Sequence, residues 1–232
     1  MVRRAADRGH ANLGWLDSRH TFSFGEYYDP AHMGFGVLRV LNDDRVAGGG
    51  GFPPHPHREM EIVSYVVQGG LAHTDSTGGE GVTRPHDVQV MTAGTGVTHS
   101  EFNASDTDAV HFLQLWLLPA AKGLAPRYAQ APFDRVPNTW QLLATPDTAK
   151  ASAHKALTLH ARAELWRAIC LPDGAPVALQ AFPHGVWVQV VAGEVMCGDV
   201  HLRAGDGVAA DGPLTLTALG DAHAELLAIG ML

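Results

Sequence analysis

The chain has 232 residues, 46% hydrophobic and 17% charged, with 16 Lys+Arg against 24 Asp+Glu and a formal net charge of −8. That apolar content supports one large or two small cores and excludes global disorder, and the acidic balance, with only Arg3, Arg4 and Arg8 as a small basic start, argues against a nucleic-acid partner. No run approaches the ~18 uncharged apolar residues of a membrane span, and MVRRAADRGHANLGW lacks the apolar core of a signal peptide, so the expectation is a cytoplasmic protein away from membranes.

Gly 26 and Pro 14 punctuate short apolar runs without any long 3.6-residue periodicity, which predicts an all-β chain with few short helices. In chain order, strands are expected at Gly36 to Asn42, Glu61 to Gln68, Gln89 to Thr92, Val110 to Leu118 and Trp140 to Ala144. They continue at Ala156 to His160, Glu164 to Leu171, Ala178 to Phe182, Val186 to Val191, Leu214 to Leu219 and Ala224 to Gly230. Turns are expected at Asp43-Asp44, Gly69-Gly70, Gly78-Gly79 and Pro172-Asp173-Gly174, the spacing of an antiparallel sandwich or barrel. Pro119 to Pro137 carries four prolines and reads as an extended crossing linker. Ile62 to Gly69 and Val186 to Gly193 echo one another as apolar strands ending in glycine. Asp-containing turns follow each, His86-Asp87-Val88 and Gly205-Asp206-Gly207, as a duplicated β-unit would leave behind. Cys170 and Cys197 lie 27 positions apart, fit no zinc or redox spacing, and read as ordinary buried thiols.

The unusual count is 14 histidines. His55-Pro56-His57 is followed, 42 residues after His57, by His99-Ser100-Glu101. On strands, the i, i+2 period returns both members of each pair to one face, so two extended segments side by side converge three imidazoles and one carboxylate. Three nitrogens and one oxygen suit Fe, Mn, Co, Ni, Cu or Zn better than Ca or Mg, with iron the first choice. A four-ligand set in an octahedral site leaves two positions open, which points to catalysis or sensing. His73, His86 and His111 are candidates to stand behind the ligands, none having an i+2 partner of the same kind. Gly94 and Gly96 predict a tight turn before the second pair, Arg58 is expected on the face opposite His57, and Trp15, Trp116 and Phe35 are expected as pocket wall or plain core.

These residues carry a resemblance. His55-Pro56-His57-Arg58 and Met91-Thr92-Ala93-Gly94-Thr95-Gly96-Val97-Thr98-His99-Ser100-Glu101 resemble the two metal-binding motifs of the pirin family, in the cupin superfamily. Further likeness lies in Trp15 to Phe24, Tyr28-Asp29-Pro30 and Pro126-Arg127-Tyr128. His86 departs from the glycine of many family members. The resemblance implies a bicupin, two facing antiparallel β-barrels of jelly-roll type. A metal-binding cupin domain would span residues 1–130, with iron on His55, His57, His99 and Glu101, and a C-terminal cupin domain without metal would span 131–232. In the latter, His184 stands alone and reads as structural.

Two functions follow from the resemblance. One is a quercetin 2,3-dioxygenase, opening a flavonol ring with dioxygen and releasing carbon monoxide, Glu101 acting as ligand and general base. The other is a non-enzymatic, iron-dependent redox sensor acting through a protein partner; a further small-molecule activity such as isomerisation also fits the fold. A deep aromatic-walled cavity favours the enzyme, and a shallow metal site on a flat surface favours the regulator.

Overall fold

The computed structural model describes every residue from Met1 to Leu232. Its first strands are Val2–Arg3 (β1), Gly9–Asn12 (β2), Leu16–His20 (β3), Leu38–Val46 (β4), Gly51–His57 (β5), Glu61–Gln68 (β6), Leu71–Asp75 (β7), Glu80–Thr83 (β8), Asp87–Thr92 (β9), Val97–Asn103 (β10), Val110–Leu117 (β11) and Arg127–Pro132 (β12). Then come Trp140–Thr145 (β13), the helix Thr148–His154 (α1), Leu157–Thr158 (β14), Ala163–Cys170 (β15), Val177–Leu179 (β16), Val186–Ala192 (β17), Glu194–Cys197 (β18), Val200–Arg203 (β19), Gly207–Ala210 (β20), Leu214–Leu219 (β21) and Ala224–Met231 (β22). This is an all-β fold with one short α-helix, and no helix is long and apolar enough to cross a membrane.

The chain forms two compact units. One comprises Gly9–Phe133 with Leu159–Ala161; the other comprises Met1–Arg8, Asp134–Thr158 and Arg162–Leu232. The first contains a seven-stranded sheet ordered β12-β9-β6-β11-β4-β3-β2 and a four-stranded sheet ordered β5-β10-β7-β8. The second repeats the plan, β1-β20-β17-β22-β15-β13-β14 and β16-β21-β18-β19. The first eight residues therefore belong with the later unit, where β1 pairs with β20 as β12 pairs with β9. The echo between β6 and β17 is thus architectural. Both strands meet their neighbour with a register shift at the same place, between His111/Phe112 and between Val190/Ala192. Both end in a positive-φ glycine, Gly69 at +81° and Gly193 at +74°. A Cβ there would meet backbone at 3.1 Å and 2.6 Å respectively, so only glycine allows the chain to leave each strand this way.

Alternation and register place a polar row on one face of the first unit's large sheet. His20 pairs Asn42, Asn42 pairs Gln114, Gln114 pairs Ser64, and Ser64 pairs Gln89. All five are buried. Apolar clusters flank the row, Leu16, Val46, Val66, Leu71, Val110 and Phe112 on one side and Ile62, Met91, Ala93 and Val97 on the other.

Two expectations need correction. Asp43 and Asp44 do not turn the chain but lie inside β4, which runs to Val46. Their carboxylates are matched there, Asp43 by His111 Nε2 at 2.7 Å and Asp44 by the Ser18 hydroxyl, which removes most of the cost of burying them. The expected linker is partly sheet, since β12 pairs with β9 along its whole length, from Arg127↔Thr92 to Pro132↔Asp87.

Candidate metal centre and its cavity

The two histidine-bearing segments are neighbouring antiparallel strands. In β5 and β10, Val97 pairs His57, Thr98 pairs Pro56 and His99 pairs His55, and the register then slips so that Glu101 pairs Phe52. The slip falls at Pro53 and Pro54, which have no N–H for the ladder and are tolerated because β5 is an edge strand. Gly94 shapes the turn from β9 into β10 at φ +46°, with its Cβ position 2.0 Å from the Leu124 carbonyl. Arg58 is exposed.

The structure brings His55, His57 and His99 together, with ring centroids 4.5 to 4.8 Å apart. His55 Nδ1 donates to the Pro53 carbonyl at 2.8 Å, which leaves Nε2 as its lone-pair nitrogen. His99 Nδ1 faces His73 Nδ1 at 3.4 Å, and His73 Nε2 faces Asp75 Oδ2 at 2.9 Å. Donation along His99→His73→Asp75 leaves His99 Nε2 as a lone pair as well, a tautomer assigned from its partners. The two Nε2 atoms then lie 3.0 Å apart, and a cation between them answers what two facing lone pairs leave repulsive. Burial, reinforced by the neighbouring imidazoles, pushes the His57 pKa down to about 4 and that of His99 to about 3, so both rings are neutral and able to coordinate at neutral pH. The donor set fits a divalent transition ion.

Glu101 sits deeper. Its ligand atom groups with those of His73 and His99, while His55, His57 and His99 make up the other three-residue group, each set lying within 4.8 Å. Gln114 Nε2 donates to Glu101 Oε2 at 2.7 Å, and Ser64 Oγ and Gln89 Nε2 reach Oε1 at 3.2 and 3.3 Å. Complete burial raises the Glu101 pKa against these bonds. The carboxylate therefore hangs on the polar row.

His73 is the residue whose place the sequence reading underrated. It shares β7 with Asp75 at i, i+2, pairs across from Glu101, and stacks on Tyr128 with centroids 4.5 Å apart. The signal was available as His73-Thr74-Asp75, the same spacing with a carboxylate as second member. His111 instead meets Asp43, and His86 occupies a turn at φ +77°. In the second unit the position before the matching aspartate is Gly205, at φ +88°. Gln114, Ser64 and Gln89 carried no sequence signal, since their role exists only through cross-strand register.

A cavity of about 770 Å³ opens onto His55, His57, Glu101 and Gln114. Its walls include Leu13, Leu16, Phe24, Tyr27, Phe52 and Trp116, and its polar lining includes Ser18, His20, Asn42 and Asp44. Trp116 stands edge-on to His57 at 4.8 Å and to Phe24 at 5.3 Å. Trp15 supports the wall from behind, edge-on to Phe52 at 5.2 Å; Phe35 does not line it.

Residues 2–117 match the family model described as Pirin, and residues 142–231 match that of the quercetinase C-terminal cupin domain. A protein named quercetin 2,3-dioxygenase from Escherichia coli (strain K12) is 43% identical over 226 residues, 97% of this chain and 96% of its own. A pirin-like protein from Caulobacter vibrioides is 36% identical over 221 residues, 94% of each chain. Among solved structures, YhhW from Escherichia coli superposes with a TM-score of 0.93 at 41% identity, covering 100% of this chain and 97% of that one. The bacterial pirin YhhW in complex with nickel(II) gives 0.90 at 40%, covering 100% and 99%.

Proposed function

This chain belongs to the pirin family, and from that premise we propose that it is a metal-dependent dioxygenase of quercetin-like flavonols. Its ligands are His55, His57, His99 and Glu101. The observation that carries the reading is the 770 Å³ cavity, walled by Phe24, Tyr27, Phe52 and Trp116 and ending on His55, His57 and Glu101. That volume is in the range of pockets that bury most of a drug-sized aromatic molecule. The names of the Escherichia coli relatives and the nickel bound by one of them support it. Iron is our first choice of ion, and the same donors accept Mn, Co, Ni, Cu or Zn.

A divalent ion bound there supplies Lewis acidity to the 3-hydroxyl oxygen of the flavonol. The three imidazoles converge on one point, those of His57 and His99 neutral through burial, and Pro53 and His73 fix the orientation of His55 and His99. Glu101, held in place by Gln114, Ser64 and Gln89 at the end of the cavity, receives the hydroxyl proton. Trp116 and Phe24 exclude water from the electron-rich ring presented to dioxygen.

The test is oxygen uptake together with optical loss of flavonol, on protein reconstituted with each metal, beside Glu101→Ala and His57→Ala. Metal-dependent turnover that disappears in both variants is the expected result. Tight metal binding without turnover above the free-ion control overturns the dioxygenase reading and leaves a redox-sensing regulator.

A further inference from the structure

The cavity has a second polar region that the metal chemistry does not use. Ser18 and His20 project from β3 and Asn42 and Asp44 from β4, with Ser18 opposite Asp44 and His20 opposite Asn42. Strand alternation turns all four to one face, and all four line the same cavity as His55, His57 and Glu101. Each is at most 5% exposed. The Ser18 hydroxyl donates to Asp44 Oδ1, and His20 Nδ1 lies 2.9 Å from Asn42 Oδ1, so the side chains hold one another in place.

The fold does not require these residue types. In the second unit, the register from β22 through β15 to β13 assigns the same four sheet positions to Trp140, Leu142, Trp166 and Ala168. There they are packed apolar surface. Four polar side chains on a buried wall of otherwise aromatic and aliphatic character disfavour an apolar occupant and favour one that brings hydroxyls.

We propose that Ser18, His20, Asn42 and Asp44 form a hydroxyl-recognising subsite that selects flavonols hydroxylated on the ring remote from the metal. This rests on the flavonol reading above and deepens it. Adjacent hydroxyls on that ring donate to the Asp44 carboxylate and exchange hydrogen bonds with Ser18, His20 and Asn42. A flavonol with a bare phenyl ring sets an apolar surface against this polar wall and supplies none of those hydrogen bonds, so the site disfavours the analogue lacking the hydroxyls.

The experiment is equilibrium binding of two ligands, quercetin and the flavonol whose remote ring carries no hydroxyls. Nickel-loaded protein under nitrogen is followed by ligand fluorescence and calorimetry, with nickel content measured for every sample. Wild-type protein is expected to prefer quercetin on the order of tenfold or more. Asp44→Asn and Ser18→Ala are expected to bring the two affinities together by weakening quercetin alone. Equal affinity in the wild type, or a preference that survives both variants, overturns the subsite while the flavonol reading stands. Binding of neither ligand by nickel-loaded wild-type protein overturns the flavonol reading and the subsite with it.

Discussion

The same row of sheet positions is polar in one unit and apolar in the other. In the unit of Gly9–Phe133 it reads His20, Asn42, Gln114, Ser64, Gln89 across five strands. In the other unit the equivalent row reads Leu142, Trp166, Ala228, Val188, Val208. The first row holds the Glu101 carboxylate through Gln114, Ser64 and Gln89. The second closes an ordinary core, where Val188, Val208 and Ala228 pack with Val190, Leu226 and Leu216. One β architecture thus becomes a site or a core according to what its middle row carries, because a buried carboxylate is tolerable only where donors already wait for it.

The largest effect expected from breaking this difference is Gln114→Leu, which makes the first row resemble the second. It removes the shortest bond to a fully buried carboxylate. We expect a loss of about 3 kcal/mol in the metal-free protein, measured by urea denaturation. A loss under about 1 kcal/mol would show that the row is not what holds Glu101. The reverse change, Val188→Ser, puts a hydroxyl into a position that is 0% exposed and surrounded by apolar side chains. About 2 kcal/mol of destabilisation is expected in thermal unfolding, with nickel affinity unchanged.

A smaller effect sharpens the shared part of the plan. Asp87 Oδ2 accepts from Arg84 N and Gln130 Nε2, and Asp206 accepts from Arg203 N, Ala5 N and Arg4 Nη1, so each aspartate ties an edge segment to its turn. Burial raises the Asp206 pKa, but the bonds from Ala5 and Arg4 outweigh it and hold the carboxyl below its ordinary value of 3.8. A depressed folded pKa contributes stability above the unfolded value that is lost as pH falls through the folded one. Asp206→Asn should therefore cost about 1 kcal/mol at neutral pH, and the gap from wild type should close on acidification below pH ~4. A gap that stays constant down to pH ~2 would deny the aspartate this role.

Several features are legible in the sequence alone. The i, i+2 spacing of His55, His57, His99 and Glu101, with the alternation of a strand, was enough to place three imidazoles on one face, and β5 and β10 do lie side by side. The echo between Ile62 to Gly69 and Val186 to Gly193 was enough to suggest the repeated unit. These are local properties: period, donor type and glycine depend on a few consecutive residues. Aspartates usually mark turns, and at Asp43-Asp44 it is partners such as Ser18 and His111, from other strands, that make them acceptable inside a strand. The polar row, the deep seat of Glu101 and the joining of β1 to the later unit were decided by tertiary structure alone. Each depends on the register between strands tens to hundreds of residues apart, and register is set by the packing of whole sheets, which no short stretch of sequence contains.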